Sequence, residues 1–153
     1  MEQGLKVFGK IILKLPKIAL DTSCLLYYIE QNPKYEKFTQ IIFEELLLSG
    51  NTKAIASTLI ITETLPPAFA ENRRDLVLAY KSAILGLPNL TIYPVTEQIA
   101  ETAAYIRGVH RLSTPDAIHL ATAIEEGAKA IIGNDKKWKK VKEIKTIVLE
   151  DFI

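Results

Sequence analysis

Four acidic residues stand where the chain turns out of apolar runs: Asp21, Glu63, Asp116 and Asp135. Asp21 follows Lys17-Ile18-Ala19-Leu20 and leads into Thr22-Ser23, while Asp135 follows Ala130-Ile131-Ile132 and the turn residues Gly133-Asn134. Asp116 comes directly after Thr114-Pro115, which reads as a helix start, with a threonine cap and a proline whose missing N–H costs nothing. Glu63 falls about one and a half turns into a helix expected to begin at Ser57 or Thr58. Each acid has an ordinary explanation when taken alone. Asp116 would favour the helix dipole, an effect of roughly 0.3–1 kcal/mol. Asp135 suits a turn, and Glu63 would be a solvated glutamate near a helix end. Their common position at one edge of a sheet is what points to chemistry, because open α/β sheets bind ligands outside the carboxyl ends of their strands, where strand order reverses.

Four carboxylates converging there repel one another unless some are protonated or a cation lies between them. An all-oxygen donor set with no matching Cys or His set selects hard ions, Mg²⁺ or Mn²⁺. Such ions keep water and a phosphate oxygen beside one or two carboxylates, an arrangement suited to hydrolysing a phosphodiester. The chain has two histidines, His110 and His119. If the phosphodiester were that of RNA, a mechanism using its 2′-hydroxyl would commonly need a titrating pair as base and acid. His119 lies on a mostly apolar helix and reads as a hydrogen-bonded core histidine, so metal-activated water is the expected nucleophile, leaving a 5′-phosphate and a 3′-hydroxyl.

The elements that must position these residues alternate. Strands are expected at Lys17–Leu20, Ala54–Ser57, Leu90–Tyr93, Ala130–Ile132 and Thr146–Leu149. A helix from Asn32-Pro33 to Gly50 carries Phe38, Ile41, Ile42, Leu46 and Leu47, and Pro66-Pro67 stops the helix of Glu63. Asn72 is expected to cap a helix through Leu85, and Thr96 one carrying Ile99, Ala103 and Ile106. After Asp116 the residues Ala117 to Ile124 leave hardly any polar face, so that helix should be buried, with Gly127 as its left-handed cap. The alternation calls for a three-layer α/β/α domain with a mainly parallel central sheet, spanning residues 17–153. Residues 1–16 place Lys6, Lys10 and Lys14 at four-residue spacing among Leu5, Phe8, Ile12 and Leu15. This extension is expected to pack on the domain, with a membrane-surface helix as the other reading.

The totals agree with a single compact domain: 153 residues, 48% hydrophobic against 24% charged. A net charge of +1 gives no global reason for a nucleic-acid partner, which leaves local patches such as the lysines from Lys136 to Lys145. Of these, Lys136 and Lys137 are nearest to Asp135 and are the candidates for nucleic-acid contact, the alternative being a solvated face. Trp138 either stacks a base or packs against the last strand. The longest uncharged interval, Ser82 to Thr96, is 15 residues and is broken by Pro88 and Pro94, so nothing is expected to span a membrane. The lone Cys24 cannot form an internal disulfide, reads as a small core residue, and suits the cytoplasm.

Four motifs in this order, LDTS at Leu20–Ser23, ITE at Ile61–Glu63, TPDAIHLATA at Thr114–Ala123 and GND at Gly133–Asp135, carry a resemblance. From about Lys17 to Leu149 the chain resembles PIN-domain ribonucleases of the VapC-like toxin family. The resemblance implies Mg²⁺- or Mn²⁺-dependent endonucleolytic cleavage of RNA, a cognate antitoxin that inserts a segment into the acidic groove, and a homodimer. It also implies that Asp21, Glu63 and Asp116 bind the metal and serve catalysis, with Asp135 as the fourth acid and Thr22, Ser23 and Asn134 supporting them. Two departures stand out: the family commonly has threonine or serine where this chain has Gly133, and the segment before Lys17 is longer than in members that start at the first strand. A phospho-accepting receiver domain would need adjacent acids after the first strand, and an aspartyl phosphatase a second aspartate at Ser23; neither is present. A PIN-like module that binds RNA or a partner without cutting stays open.

Overall fold

The computed structural model describes residues 2–153; Met1, the first residue of the expected extension, lies outside them. Five strands form one parallel sheet: β1 (Lys17–Leu20), β2 (Lys53–Ser57), β3 (Leu90–Tyr93), β4 (Ala130–Gly133) and β5 (Lys145–Val148), in the order β3-β2-β1-β4-β5. From β1 the chain steps outward through β2 and β3, then crosses to β4 and β5 on the other side. The strand order therefore reverses between β1 and β4, where Leu20 pairs with Ile132. That junction is where a ligand site is expected in such a sheet.

Alternation along the strands divides the core in two. Ile18, Leu20, Ala54, Ala56, Ala130 and Ile132 face one layer, whereas Ala19, Ile55 and Ile131 face the other. The first layer is built from α1 (Glu2–Ile12), α2 (Thr22–Ile29), α3 (Glu36–Gln40), a π-helical stretch at Ile41–Leu47, and α6 (Arg74–Leu85). The second is built from α7 (Glu97–His110), α8 (Thr114–Glu125) and the 3₁₀ turn Lys136–Lys140. In α1, Phe8 and Ile12 are fully buried, and Phe8 meets Phe38 and Phe152 edge to face at centroid distances of 5.3 and 5.4 Å. A Cβ on Gly4 would overlap the Phe152 carbonyl, so glycine allows α1 to lie directly on the C-terminal 3₁₀ turn Leu149–Phe152. Among the described residues no helix is long and apolar enough to cross a membrane.

Local chemistry departs from expectation at four places. The helix expected from Asn32-Pro33 starts at Glu36, because Asn32 Oδ1 accepts from the Lys34 amide at 3.0 Å and turns the chain first. It then widens to π geometry, where Ile42-Phe43 and Leu46-Leu47 are all buried. A wider turn rotates less per residue and brings both members of each apolar pair inward. Pro66 and Pro67 do more than stop α4 (Leu59–Thr64): they open α5 (Pro66–Ala70), where a missing N–H is tolerated. Asn72 adopts a left-handed conformation (φ 54°) and Arg73 is the residue preceding α6, so Asn72 does not cap it. At α8 the cap is Ser113, whose hydroxyl accepts from the Asp116 amide, and Thr114 is the first helical residue. Gly127 has φ 73° after the last turn of α8, and Thr96 Oγ1 caps α7 by accepting from the Ile99 amide at 3.2 Å.

Candidate active site

Asp21 sits at the reversal point. Its amide donates to the Ile132 carbonyl at 3.0 Å, extending the β1–β4 pairing by one residue before α2 begins. Its carboxylate then caps α2: Oδ1 accepts from the Thr22 amide at 2.7 Å and Oδ2 from the Ser23 hydroxyl at 2.7 Å. Burial pushes the Asp21 carboxyl above the ordinary aspartate range. The nearby His119 and the Ser23 and Thr22 hydrogen bonds oppose that shift, and the Glu63 charge adds to it. A carboxylate held in this state repels a second negative charge and attracts a positive one.

Glu63 reaches the same edge from α4. The Thr22 hydroxyl donates to its Oε2, and His119 Nε2 lies 2.9 Å from that same oxygen. Burial alone would raise the Glu63 carboxyl, but those two hydrogen bonds together with the His119 charge outweigh it and leave the group lowered. One potential ligand atom from each of Asp21, Glu63 and His119 lies within 4.8 Å of the others. Asp116 and Asp135 are not members of this group. Asp116 lies in the first turn of α8, three residues before His119 and so on the same helical face, and the Ser113 hydroxyl donates to its Oδ2 at 2.7 Å. Asp135 turns its Oδ1 to the Lys137 amide at 2.8 Å and caps the 3₁₀ turn.

The surroundings explain two features of the sequence. Asn134 holds the loop after β4 in place: its amide donates to Tyr35 Oη at 2.9 Å and to Tyr27 Oη at 3.3 Å, and its Oδ1 accepts from the Glu150 amide at 3.0 Å. A Cβ on Gly133 would lie 3.1 Å from the Asp21 Cβ and 3.2 Å from Trp138 Cζ3, so a serine or threonine there would require a neighbour to give way by a few tenths of an ångström. Trp138 is 1% exposed and packs in the second core layer, which leaves it no face for a base. Cys24 is fully buried beside β4, and burial together with the Asp21 charge pushes its thiol up, away from reactivity. Lys136 and Lys137 are exposed; Lys136 approaches Asp151 at 3.9 Å, and Lys139 pairs with the same carboxylate. Glu63 lines a groove of about 250 Å³ together with Glu30, Glu71, Leu26, Leu76 and Tyr80.

The sequence profile of the PIN domain matches residues 18–144, which include every one of these acids. The chain belongs to the PIN domain family. No curated protein sequence matches it. Among solved structures the fold resembles VapBC2 from Rickettsia felis bound to a DNA fragment of its promoter, with a TM-score of 0.68 at 16% identity over 86% of this chain and 98% of the other. It also resembles DNA-bound VapBC from Salmonella typhimurium, with a TM-score of 0.67 at 17% identity over 87% and 98%. A toxin–antitoxin complex from Klebsiella pneumoniae gives 0.61 at 18% identity over 86% and 97%. At these identities the likeness is one of fold. PIN domains are generally nucleases and use divalent metals, and an acidic group able to hold one is present here.

His119 is the member of the group that a reading based on carboxylates leaves out. It is indeed a buried, hydrogen-bonded histidine, 3% exposed, but its partner is Glu63 and not the core. The signal available was its position three residues after Asp116, which puts it on the face of α8 that carries that acid.

Proposed function

We propose that this PIN-domain protein is a metal-dependent endoribonuclease acting as the toxin of a toxin–antitoxin pair. The observation that carries the reading is the approach of Asp21 and Glu63 at the strand-order reversal, beside the first turn of α8. The residues fit a divalent cation, because Asp21 and Glu63 each offer an oxygen within 4.8 Å of the other, at a place where burial disfavours the Asp21 charge unless something positive lies beside it. In this reading Asp21, Glu63 and Asp116 hold Mg²⁺ or Mn²⁺, with Asp135 as the fourth acid. A bound ion of this kind supplies Lewis-acid polarisation of the phosphate and a lower pKa for water.

The protein's own groups do the positioning. Thr22 and Ser23 fix the Asp21 oxygens, Thr22 and His119 fix Glu63 Oε2, and Ser113 fixes Asp116 Oδ2. Lys136 and Lys137, exposed on the turn that Asp135 caps, would contact RNA phosphates. The acidic, apolar-walled groove beside Glu63 suits an antitoxin segment that presents Arg or Lys to the carboxylates. Exposed Leu78 and Leu85, one heptad apart on α6, offer an apolar stripe for a homodimer contact. The reading also puts the protein in the cytoplasm, where RNA and an antitoxin would meet it and the lone Cys24 would stay reduced.

The test is cleavage of RNA with Mg²⁺, with Mn²⁺ and with chelator, for wild type and Asp116→Asn. We expect cleavage only with metal, products with 5′-phosphate and 3′-hydroxyl ends, and a loss of at least about a hundredfold in Asp116→Asn. Undiminished cutting in chelator would sink the metal mechanism. RNA binding with no cleavage under any metal would favour the non-cutting module.

A further inference from the structure

Glu63 is held through one oxygen. The Thr22 hydroxyl, from α2, and His119 Nε2, from α8, both engage Oε2, and neither engages Oε1. Three helices therefore meet at a single atom at the mouth of the site. Glu63 needs such support, because α4 is only six residues long and the glutamate side chain is 33% exposed. His119 is well placed to give it, being 3% exposed and backed by the Trp138 ring at a centroid distance of 6.2 Å.

Since His119 also lies within 4.8 Å of the Asp21 and Glu63 oxygens, two roles compete for it, and they need its hydrogen in opposite places. As a metal ligand through Nε2 the ring would present a lone pair there and carry its hydrogen on Nδ1. That atom is buried and has no hydrogen-bond partner among the described residues. Metal-ligating imidazoles almost always donate their second N–H to an acceptor, and a buried donor without one is costly. As a hydrogen-bond donor the ring instead carries its hydrogen on Nε2, aimed at Glu63 Oε2 at 2.9 Å.

The geometry points to His119 as a positioning residue: its Nε2–H, acting with the Thr22 hydroxyl, clamps Glu63 Oε2 and leaves Oε1 to meet a divalent cation. This rests on the metal-dependent reading proposed above. Its consequence is that the protein offers the cation oxygen alone. The imidazole shapes the site without entering it, so the site keeps the character that suits Mg²⁺ and Mn²⁺ and gives no nitrogen-based preference for zinc or nickel.

Three measurements test the clamp. In metal-free protein with ¹⁵N-labelled histidine, NMR should find a hydrogen on His119 Nε2; a ring protonated on Nδ1 alone overturns the proposal. In Mn²⁺-loaded wild type, pulsed EPR should show no directly coordinated imidazole nitrogen, and its presence overturns the proposal in favour of ligation. By EPR titration, His119→Leu should lose about 10–100-fold in Mn²⁺ affinity, the range for removing a partner of a metal ligand. His119→Gln, whose amide nitrogen can occupy the place of Nε2, should recover most of that loss. A glutamine variant as weak as a folded leucine variant would overturn the clamp. If wild type binds no Mn²⁺, the metal reading fails and the positioning role falls with it. The NMR result on metal-free protein would still report whether the hydrogen bond exists, so the two failures are told apart.

Discussion

Replacing Asp21 by asparagine should separate stability from activity. The reacting oxygens of Asp21 and Glu63 lie within 4.8 Å of each other. Two unit charges at ~4.8 Å in an effective dielectric of ~20 repel by about 3.5 kcal/mol, an upper figure that His119 and solvent reduce. Asparagine removes that repulsion and keeps the shape. Its carbonyl can accept from the Thr22 amide, its amide can donate to the Ser23 oxygen, and it remains a good helix cap for α2. The losses are weaker, uncharged hydrogen bonds, about 1 kcal/mol, and the favourable charge at the α2 N-terminus, roughly 0.3–1 kcal/mol. In chelator at neutral pH the variant should therefore be more stable by about 1–2 kcal/mol, or about 3–6 °C in Tm for a chain of this size. The pH dependence follows from the raised Asp21 carboxyl. An acid whose folded value lies above its unfolded one takes up protons on folding, so wild-type stability falls as pH climbs through that window. The advantage of the variant should vanish in acid, below the ordinary aspartate range, and be complete above the raised folded value. Saturating Mn²⁺ should reverse the order, because a ligand at ~100 times its Kd stabilises wild type by about 2.7 kcal/mol and the variant hardly at all. Thermal melts across pH, with chelator and with Mn²⁺, measure all of this. A variant that melts below wild type at neutral pH in chelator and still binds Mn²⁺ would refute the reasoning and make Asp21 a structural cap.

Gly133→Ser, which restores a hydroxyl common in the family, should destabilise by about 1–3 kcal/mol in urea denaturation because its Cβ would press on Asp21 and Trp138 at 3.1 and 3.2 Å. Phe8→Ala should lower stability by about 3–5 kcal/mol, measured the same way, and leave the cleavage rate of the remaining folded protein unchanged, since Phe8 packs on Phe38 and Phe152. Asp135→Asn should reduce RNA cleavage less than Asp21→Asn in a single-turnover assay, because Asp135 stands outside the group formed by Asp21, Glu63 and His119 and asparagine can keep its cap on the Lys137 amide.

The sheet was legible because a parallel strand covered on both faces leaves an unbroken apolar run that local residues carry by themselves: Ile18 and Leu20 face one layer from β1 and Ala19 the other, and Ile131 faces the second layer from β4. Asp21 and Glu63, which the structure brings within reach of one another, could be singled out because each stands just after an apolar run, at Ile18–Leu20 and Leu59–Ile61. What could not be read is what the acids touch. Glu63 and His119 are 56 residues apart, and their contact depends on how α4 and α8 are set against each other, which no local pattern specifies. The start of α3 and the opening of α5 were misread where two local signals competed, a proline that can end one helix or begin the next and an asparagine that can cap a helix or make its own turn. The widened turn at Ile41–Leu47 was hidden because a helical period and a wider one both bury most of the same apolar residues.

The glycine in the GND motif shows how such a site can keep its geometry while losing a side chain. By the family resemblance a serine or threonine at 133 would help order the last acid, Asp135. Here a Cβ at 133 would sit 3.1 Å from the Asp21 Cβ and 3.2 Å from Trp138 Cζ3, so that a neighbour would have to give way. Asp21 itself is oriented from α2, through the Thr22 amide and the Ser23 hydroxyl, and Thr22 extends the same support to Glu63. Among the described residues Trp138 Nε1 and His119 Nδ1 are buried without hydrogen-bond partners, as are the hydroxyls of Thr64 and Thr146. The His119 and Trp138 rings lie 6.2 Å apart, and His119 is within 4.8 Å of the Asp21 carboxylate, whose ionisation burial opposes. Local rules broken in this way beside a buried carboxylate are what the proposed metal site would account for.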